Sequence, residues 1–180
     1  TGSLAYYKDE HSNIGYEIAK KFGHTIIKVL PSLVQLKGEE KYFKDWMGIR
    51  NNVEISLYEE TKFVKKEEGE ILLTDYGISG ICVFNISGTA SKNISFGKSV
   101  EVAINFLPHL ENNFYAWFDE RAQKLKDRTI EEILESIINK KLMFVLLKQS
   151  NISKDKKWNE LNENSKKVLE LLKKNKEGKL

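Results

Sequence analysis

The strongest constraint on the fold is a change in the spacing of apolar residues at Pro108. Before this proline, apolar and polar residues alternate through residues 53–57 and again through residues 100–106, as in half-buried strands. After it, apolar residues between 114 and 125 recur at three- and four-residue steps, which predicts one face of a helix. Strands first and helices afterwards favour an α+β fold over the strand–helix alternation of a parallel sheet.

Further short strands are predicted before Pro108. Runs rich in β-branched or apolar residues predict three extended segments: 25–30, 62–66 and 69–74. Residues 33–36 can continue the first of these beyond Pro31. Residues 79–90 fit either a short helix or one more apolar strand, because their periodicity does not separate the two. Together these strands predict a small antiparallel β-barrel with a helical subdomain.

Helix boundaries are marked by caps. Residues 15–22 predict a first helix that ends at Gly23, since glycine adopts positive φ at a C-terminal cap. Thr129 and Glu132 form a capping box, and apolar stripes then predict helices beginning near residues 130, 142 and 168. We therefore expect residues 1–24 to be a linker and first helix, 25–108 mainly barrel, and 109–180 mainly helical.

Composition excludes several classes of protein. The lone Cys82 rules out an internal disulfide and a Cys-based metal cage, and its apolar neighbours predict a buried, inert thiol. The three His are dispersed, so we expect no metal. No apolar run reaches the ~18 residues of a membrane span, and residues 1–4 do not resemble a secretory signal. We therefore expect a cytoplasmic protein with no membrane partner.

Residues 148–180 are basic, with ten Lys against five acids, whereas the whole chain carries +3. Such a tail can bind phosphates, but the acids interrupt the lysines and Arg is absent, which is typical of a solvated helix face. We therefore expect no nucleic-acid partner. The alternative is a free-standing binding or interaction module that uses this basic helical tail. Abundant Lys, Asn and Ile with few Arg also suggests an AT-rich bacterial genome.

No catalytic residue can be named from spacing. The glycines form neither a G-x-G-x-x-G nor a P-loop, so a flavin or nicotinamide would have to be held mainly by something other than such a phosphate-binding loop. His24 follows the helix-ending Gly23, where capping is the simplest role, and His109 is interpreted as a surface residue. Three pairs of acids are interpreted as loop charges: Glu39-Glu40, Glu59-Glu60 and Glu67-Glu68.

The segment Gly77-Ile78-Ser79-Gly80 is the most distinctive short motif. Its two glycines allow close approach of the backbone to another group, and an exposed N–H here could meet a ligand oxygen. The alternative is a tight strand-to-helix turn with Ser79 as the N-cap.

Several segments occur in an order and spacing that resemble a known family. They are Thr1-Gly2, Tyr6, Gly15-Tyr16, Ala19, Gly23-His24-Thr25-Ile26, Pro31-Ser32-Leu33-Val34 and Gly69-Glu70-Ile71-Leu72-Leu73-Thr74-Asp75-Tyr76-Gly77-Ile78-Ser79-Gly80. In this register the chain resembles, to about residue 110, the insert domain of the HI0933-like (aminoacetone-oxidase-like or BaiN-type) FAD-dependent flavoproteins. It departs from the family pattern at residues 10–14, where glycines are missing, and at Ser3, Tyr7, Gln35, Asp75 and Ile81.

The resemblance implies a role as part of a longer polypeptide. The insert would interrupt an FAD-binding Rossmann domain and cap the flavin cleft, without catalytic activity or a cofactor of its own. The parent would transfer hydride between NAD(P)H, FAD and a small organic substrate such as an unsaturated ketone. It implies that Thr1 and Gly2 lie near the flavin. It also implies substrate-cleft positions for five residues: Gly15, Tyr16, Gly77, Ser79 and Gly80.

Overall fold

The chain divides between Pro31 and Ser32 into two compact units. The structure, a computed structural model, describes residues 13–38, 42–110, 114–161 and 175–179. The predicted boundaries at 24/25 and 108/109 stay predictions. Within the described ranges, no helix combines the length and the apolar character that crossing a membrane requires.

The first unit contains helix α1 (Ile14–Lys21). Gly23 has φ 82°, its N–H donates to the Lys20 carbonyl at 2.9 Å, and the His24 N–H donates to the Ala19 carbonyl at 3.0 Å. These two bonds form a Schellman motif, so the predicted helix end and the capping position of His24 are confirmed.

The predicted strand at residues 25–30 is wrong, because these residues form neither helix nor strand. Their β-branched side chains are not packed on a pleated surface: Ile27 is 86% exposed and Val29 is 43% exposed. Strand propensity reflects packing on a half-buried sheet, and within the described residues this run takes part in no strand pairing.

The second unit is built on one antiparallel sheet, whose spatial order is β1-β4-β3-β2-β5-β6. Its strands are β1 (Leu36–Lys37), β2 (Arg50–Glu59), β3 (Lys62–Leu73), β4 (Gly77–Ser79), β5 (Val100–Asn105) and β6 (Asn175–Lys179). Every neighbouring pair is antiparallel. The α+β class with a small antiparallel barrel and a helical part is thus confirmed.

Strand β3 is longer than expected. The two predicted segments at 62–66 and 69–74 are one strand, and Glu67 and Glu68 lie inside it, opposite Ile55 and Glu54 of β2. Their interpretation as loop charges is wrong. A strand can carry both acids for two reasons. The Glu67 carboxylate forms an ion pair with Lys65 at 2.9 Å and accepts a hydrogen bond from Asn85. The Glu68 side chain is exposed to solvent.

Residues 79–90 are mainly helical, which decides between the two alternatives. After the short strand β4, helix α3 (Ile81–Ser95) lies against β2 and β3. Cys82, Val83, Ile86 and Ala90 are fully buried at three- and four-residue intervals, and this spacing places them on one helix face.

The remaining helices are α2 (Phe43–Trp46), α4 (Phe114–Lys124), α5 (Ile130–Leu134) and α6 (Lys140–Gln149), with 3-10 turns at Pro108–Leu110 and Trp158–Glu160. Phe118 packs edge-on against Trp158 with ring centroids 5.0 Å apart. The Trp158 Nε1–H donates to Asp119 at 3.0 Å, so the buried indole has an acceptor.

The basic C-terminal segment differs from the expectation. The helix predicted near residue 168 lies outside the described residues. Residues Asn175–Lys179 form strand β6 and not a solvated helix face, because they pair with β5 beside Ile104 and Glu101. An unpaired strand edge offers a row of backbone donors and acceptors. Backbone pairing with β5 therefore determines the structure of residues 175–179, although their charge pattern favours a solvated helix.

The predicted capping box is present at the start of α5. The Thr129 Oγ1 accepts from the Glu132 N–H at 3.3 Å, and the Glu132 carboxylate accepts from the Thr129 N–H at 2.8 Å. The Arg128 guanidinium also pairs with Glu132 at 2.9 Å. The pKa of Glu132 is lowered, first by the Thr129 backbone hydrogen bond and then by Arg128.

We expect Thr129→Ala to lower the free energy of unfolding by about 1 kcal/mol, because the Glu132 N–H loses its acceptor. Thr129→Ser keeps the hydroxyl and should recover most of this loss. Urea unfolding of the three proteins measures the difference. Equal losses in both variants would assign the effect to packing of the Thr129 methyl group instead.

Candidate functional site

The first candidate site is the glycine segment at β4. Gly77 pairs with Lys37, and Ile78 pairs with both Leu36 and Leu73. A Cβ built on Gly77 would lie 2.0 Å from the Leu36 carbonyl oxygen, so the backbone of β1 fills the space beside this glycine. The close approach that the motif predicted is therefore made by a neighbouring strand.

The turn from β4 into α3 depends on Gly80. Its φ is 115°, and an added Cβ would lie 2.3 Å from the Glu70 carbonyl oxygen. Gly80 is the N-cap of α3, without a side-chain cap, so the predicted Ser79 N-cap is wrong although the strand-to-helix turn is present. The turn needs a positive φ at position 80, which glycine adopts readily. Gly80 is therefore the N-cap, and Ser79 is the last residue of β4.

The other residues suggested by the sequence lie elsewhere. Gly15 and Tyr16 are half-buried in α1 of the first unit, and Thr1 and Gly2 lie outside the described residues. The structure thus brings together Gly77, Ser79 and Gly80, and their contact with a substrate stays a prediction.

Cys82 has the buried, inert position expected of it. It is fully buried, and its thiol donates to the Glu70 carbonyl oxygen at 3.4 Å. Burial raises the pKa of the thiol, which disfavours the nucleophilic thiolate.

A second candidate site, not predicted from the sequence, is a cleft of about 540 Å³ at one end of the sheet. We call it the sheet-end cleft. It is lined by Asn51, Asn52, Glu54, Glu68, Phe106, Leu107, Pro108, His109 and Ile137. These residues come from β2, β3, the segment after β5 and the connection between α5 and α6. The volume is in the range of small-molecule sites.

Hydrogen bonds fix the wall of this cleft that follows β5. The Asn105 side-chain oxygen accepts from the Leu107 N–H at 3.0 Å, and the Leu110 N–H donates to the Leu107 carbonyl at 3.0 Å. Phe106 and Leu107 are each 2% exposed. The chain therefore leaves the sheet through a fixed turn that places Pro108 and His109 at the cleft.

The opposite side of the cleft carries two carboxylates. Glu54 and Glu68 are directly opposite in the β2–β3 register, an arrangement that is unfavourable for like charges. Lys66 lies 2.7 Å from Glu54, whose side chain is only 14% exposed, and compensates this charge. Within the described part of the chain Glu68 forms no ion pair, so no described residue compensates its charge.

Sequence reasoning missed this cleft because its residues are distant along the chain. His109 was interpreted as a surface residue and Glu68 as a loop charge, and neither lies in a motif. Only the strand register places Glu68 beside Glu54. Where the structure describes the lining, it also includes no Lys or Arg, a pattern that becomes visible only when the lining is known.

The described residues do not fit FAD. The sheet-end cleft offers two carboxylates and no cationic Lys or Arg to the pyrophosphate, which is bound elsewhere by helix N-termini and glycine-rich backbone. Among the described residues there is also no group of three or more His, Cys, Asp or Glu arranged to hold a metal.

An antiparallel barrel sheet followed by packed helices defines the class of this protein as an α+β barrel-and-helix domain. A family model described as the HI0933-like protein barrel and H2TH domain matches residues 30–176. The chain therefore belongs to the HI0933-like family, as the resemblance in sequence predicted.

A curated relative supports the same assignment. The chain is 36% identical over 139 residues to a 3-dehydro-bile acid delta(4,6)-reductase of Clostridium scindens. The aligned part covers 77% of this chain and 34% of the reductase. The chain thus spans about a third of the length of the relative that it matches.

The glycine segment gives a test that separates backbone strain from steric overlap. Gly80→Ala should lower the free energy of unfolding by about 3 kcal/mol or more, because it combines a strained φ with a clash against β3. Gly97→Ala is the matched control: its φ is 77° but no atom lies within 4 Å of its Cβ position. It should cost about 1 kcal/mol.

Gly77→Ala supplies the third comparison, since it adds the clash with Leu36 without a positive φ. Its cost, of about 1–3 kcal/mol, should fall between the other two in thermal and urea unfolding. If Gly80→Ala were no more damaging than Gly97→Ala, the close approach of Gly80 to β3 would be contradicted.

Proposed function

We propose that this chain is the insert domain of an FAD-dependent oxidoreductase, where it caps the flavin cleft and shapes the substrate pocket. Its membership of the HI0933-like family over residues 30–176 carries the proposal. Similarity to a curated reductase supports redox chemistry in the parent protein. In this proposal the chain orients the substrate and excludes water, while a flanking domain of the same polypeptide binds FAD.

The absence of a phosphate-binding motif supports the assignment of FAD to a flanking domain. The printed sequence has no G-x-G-x-x-G, and the described lining of the sheet-end cleft has no Lys or Arg for a pyrophosphate. The relative is about three times as long as the segment it shares with this chain, which leaves room for a cofactor-binding domain. The 180-residue chain alone should therefore be inactive.

The surface of α1 supports a flanking partner as well. Ile14, Ile18 and Phe22 recur every four residues and are 43%, 45% and 80% exposed, and no residue of α1 is buried. An apolar stripe of this kind normally packs against another surface. Helix α1 also precedes the segment matched by the family model, so the flanking domain is the partner that we propose.

The proposed substrate is a small organic molecule with an unsaturated ketone, by analogy with the name of the relative, and NAD(P)H would be the hydride donor. Five residues are proposed to face the substrate cleft: Gly15, Tyr16, Gly77, Ser79 and Gly80. Thr1 and Gly2 are proposed to lie near the flavin, in a cytoplasmic enzyme.

The first experiment is the visible absorption spectrum of the purified parent protein with its flanking sequence restored. We expect the two bands of oxidised flavin and their bleaching by NADH or NADPH. The 180-residue chain should be colourless and should not oxidise NAD(P)H when FAD is added. A folded parent that is colourless and does not take up FAD would favour the free-standing binding module.

A second prediction tests the surface of α1. In the parent, Ile18→Lys should reduce retention of flavin or yield of folded protein, because a charge would be buried in the proposed interface. Glu17→Lys, on the adjacent exposed position, should have little effect.

In the 180-residue chain both changes should alter the free energy of unfolding by less than about 0.5 kcal/mol, since both positions are exposed there. Equal flavin content in the unchanged parent and in both variants would contradict the proposal that the apolar stripe of α1 is an interface.

A further inference from the structure

We propose that the sheet-end cleft binds a small organic ammonium ion, with Glu68 as its counter-ion and the apolar wall at Pro108 and Ile137 against its hydrocarbon part. This ligand site is additional to the proposed flavin chemistry and does not depend on it. The support comes from the shape of the cleft, the polarity of its lining and its charge.

The lining combines an apolar wall with hydrogen-bond acceptors. Pro108 and Ile137, which are half-buried, provide the apolar wall, and the side chains of Asn52 and Glu68 are exposed. Ligand sites typically pair an apolar surface with a few polar groups that fix orientation. Here the acceptors, which are carboxylate and amide oxygens, favour a ligand that donates hydrogen bonds.

The charge of the cleft selects a cation. The chain has 29 Lys and Arg and a net charge of +3, yet neither residue type occurs among the described residues that line the cleft. Lys66 compensates Glu54 at 2.7 Å. Glu70, two residues further along β3, forms an ion pair with Arg50 of β2 at 2.8 Å. Among these acids, Glu68 is the one whose charge is not compensated within the described residues.

An anionic ligand is disfavoured by the same arrangement. It would approach Glu68 and Glu54 without a Lys or Arg among the described lining residues to offset the repulsion. A metal ion is disfavoured too, because the described residues supply no cluster of three suitable ligands. An ammonium group can instead donate hydrogen bonds to the exposed carboxylate, and its hydrocarbon part can cover the apolar wall.

The test is an NMR titration of the 180-residue chain with 2-phenylethylammonium and with the neutral 2-phenylethanol as a matched probe. Backbone amide shifts of Asn52, Glu68 and His109 report binding at the cleft. We expect the cation to bind about fivefold more tightly than the alcohol, the preference that an exposed ion pair supports. N-acetyl-lysine methylamide is a third probe, which distinguishes a free amine from a lysine of another protein.

Two variants make the test specific. Glu68→Gln should abolish the preference for the cation, whereas Glu70→Gln, the same change outside the cleft, should preserve it. The proposal is supported if either ammonium probe binds more tightly than 2-phenylethanol. The tighter of the two then shows whether the natural ligand is a free amine or a lysine side chain of another protein. Shifts outside the cleft, equal binding of the alcohol, equal effects of the two variants, or no binding of any probe would overturn it.

Discussion

The burial of one face of β2 is the constraint on which the second unit depends. Val53, Ile55 and Leu57 are completely buried, and β2 lies between β3 and β5 in the sheet. Because side chains alternate, a shift of one residue in either pairing would expose this face to water. The same register therefore determines the opposite, polar face, where Glu54 meets Glu68 and the sheet-end cleft opens.

Close packing of α3 on this sheet imposes the second requirement. Helix α3 must begin directly after β4, and Gly80 makes the turn at a φ of 115°. Gly69, on β3, has a φ of 153°, and the Cys82 Cβ would lie at an ordinary van der Waals distance of 3.6 Å from a Cβ at that position. At the edge of this contact Lys65 holds the pKa of Glu67 below its ordinary value, with Asn85 as a second hydrogen-bond partner. Motif glycines that could serve a ligand thus already serve the packing of backbone and helix.

The sequence predicted those elements whose signal is local. The strands β2 and β5, the capping box at Thr129 and the Gly23 helix end each have a signal that depends on neighbours along the chain, and each is confirmed, although β5 is buried on both faces. The strand predicted at residues 25–30 failed because propensity does not supply a pairing partner. Strand β6 was missed for the converse reason, since a charged, Lys-rich segment pairs with an available edge.

The cleft shows why local patterns are insufficient for sites. Its two carboxylates come from different strands, and their encounter follows from a register that no motif encodes. Residue type also does not distinguish Glu68 from Glu70, because both are exposed acids two positions apart on one strand. Arg50 forms an ion pair with Glu70 and not with Glu68. The chemical difference between them arises from the partner across the sheet. A domain that lacks a phosphate-binding loop can therefore still offer a charged, ligand-sized cleft, provided that the sheet brings unlike segments to one end.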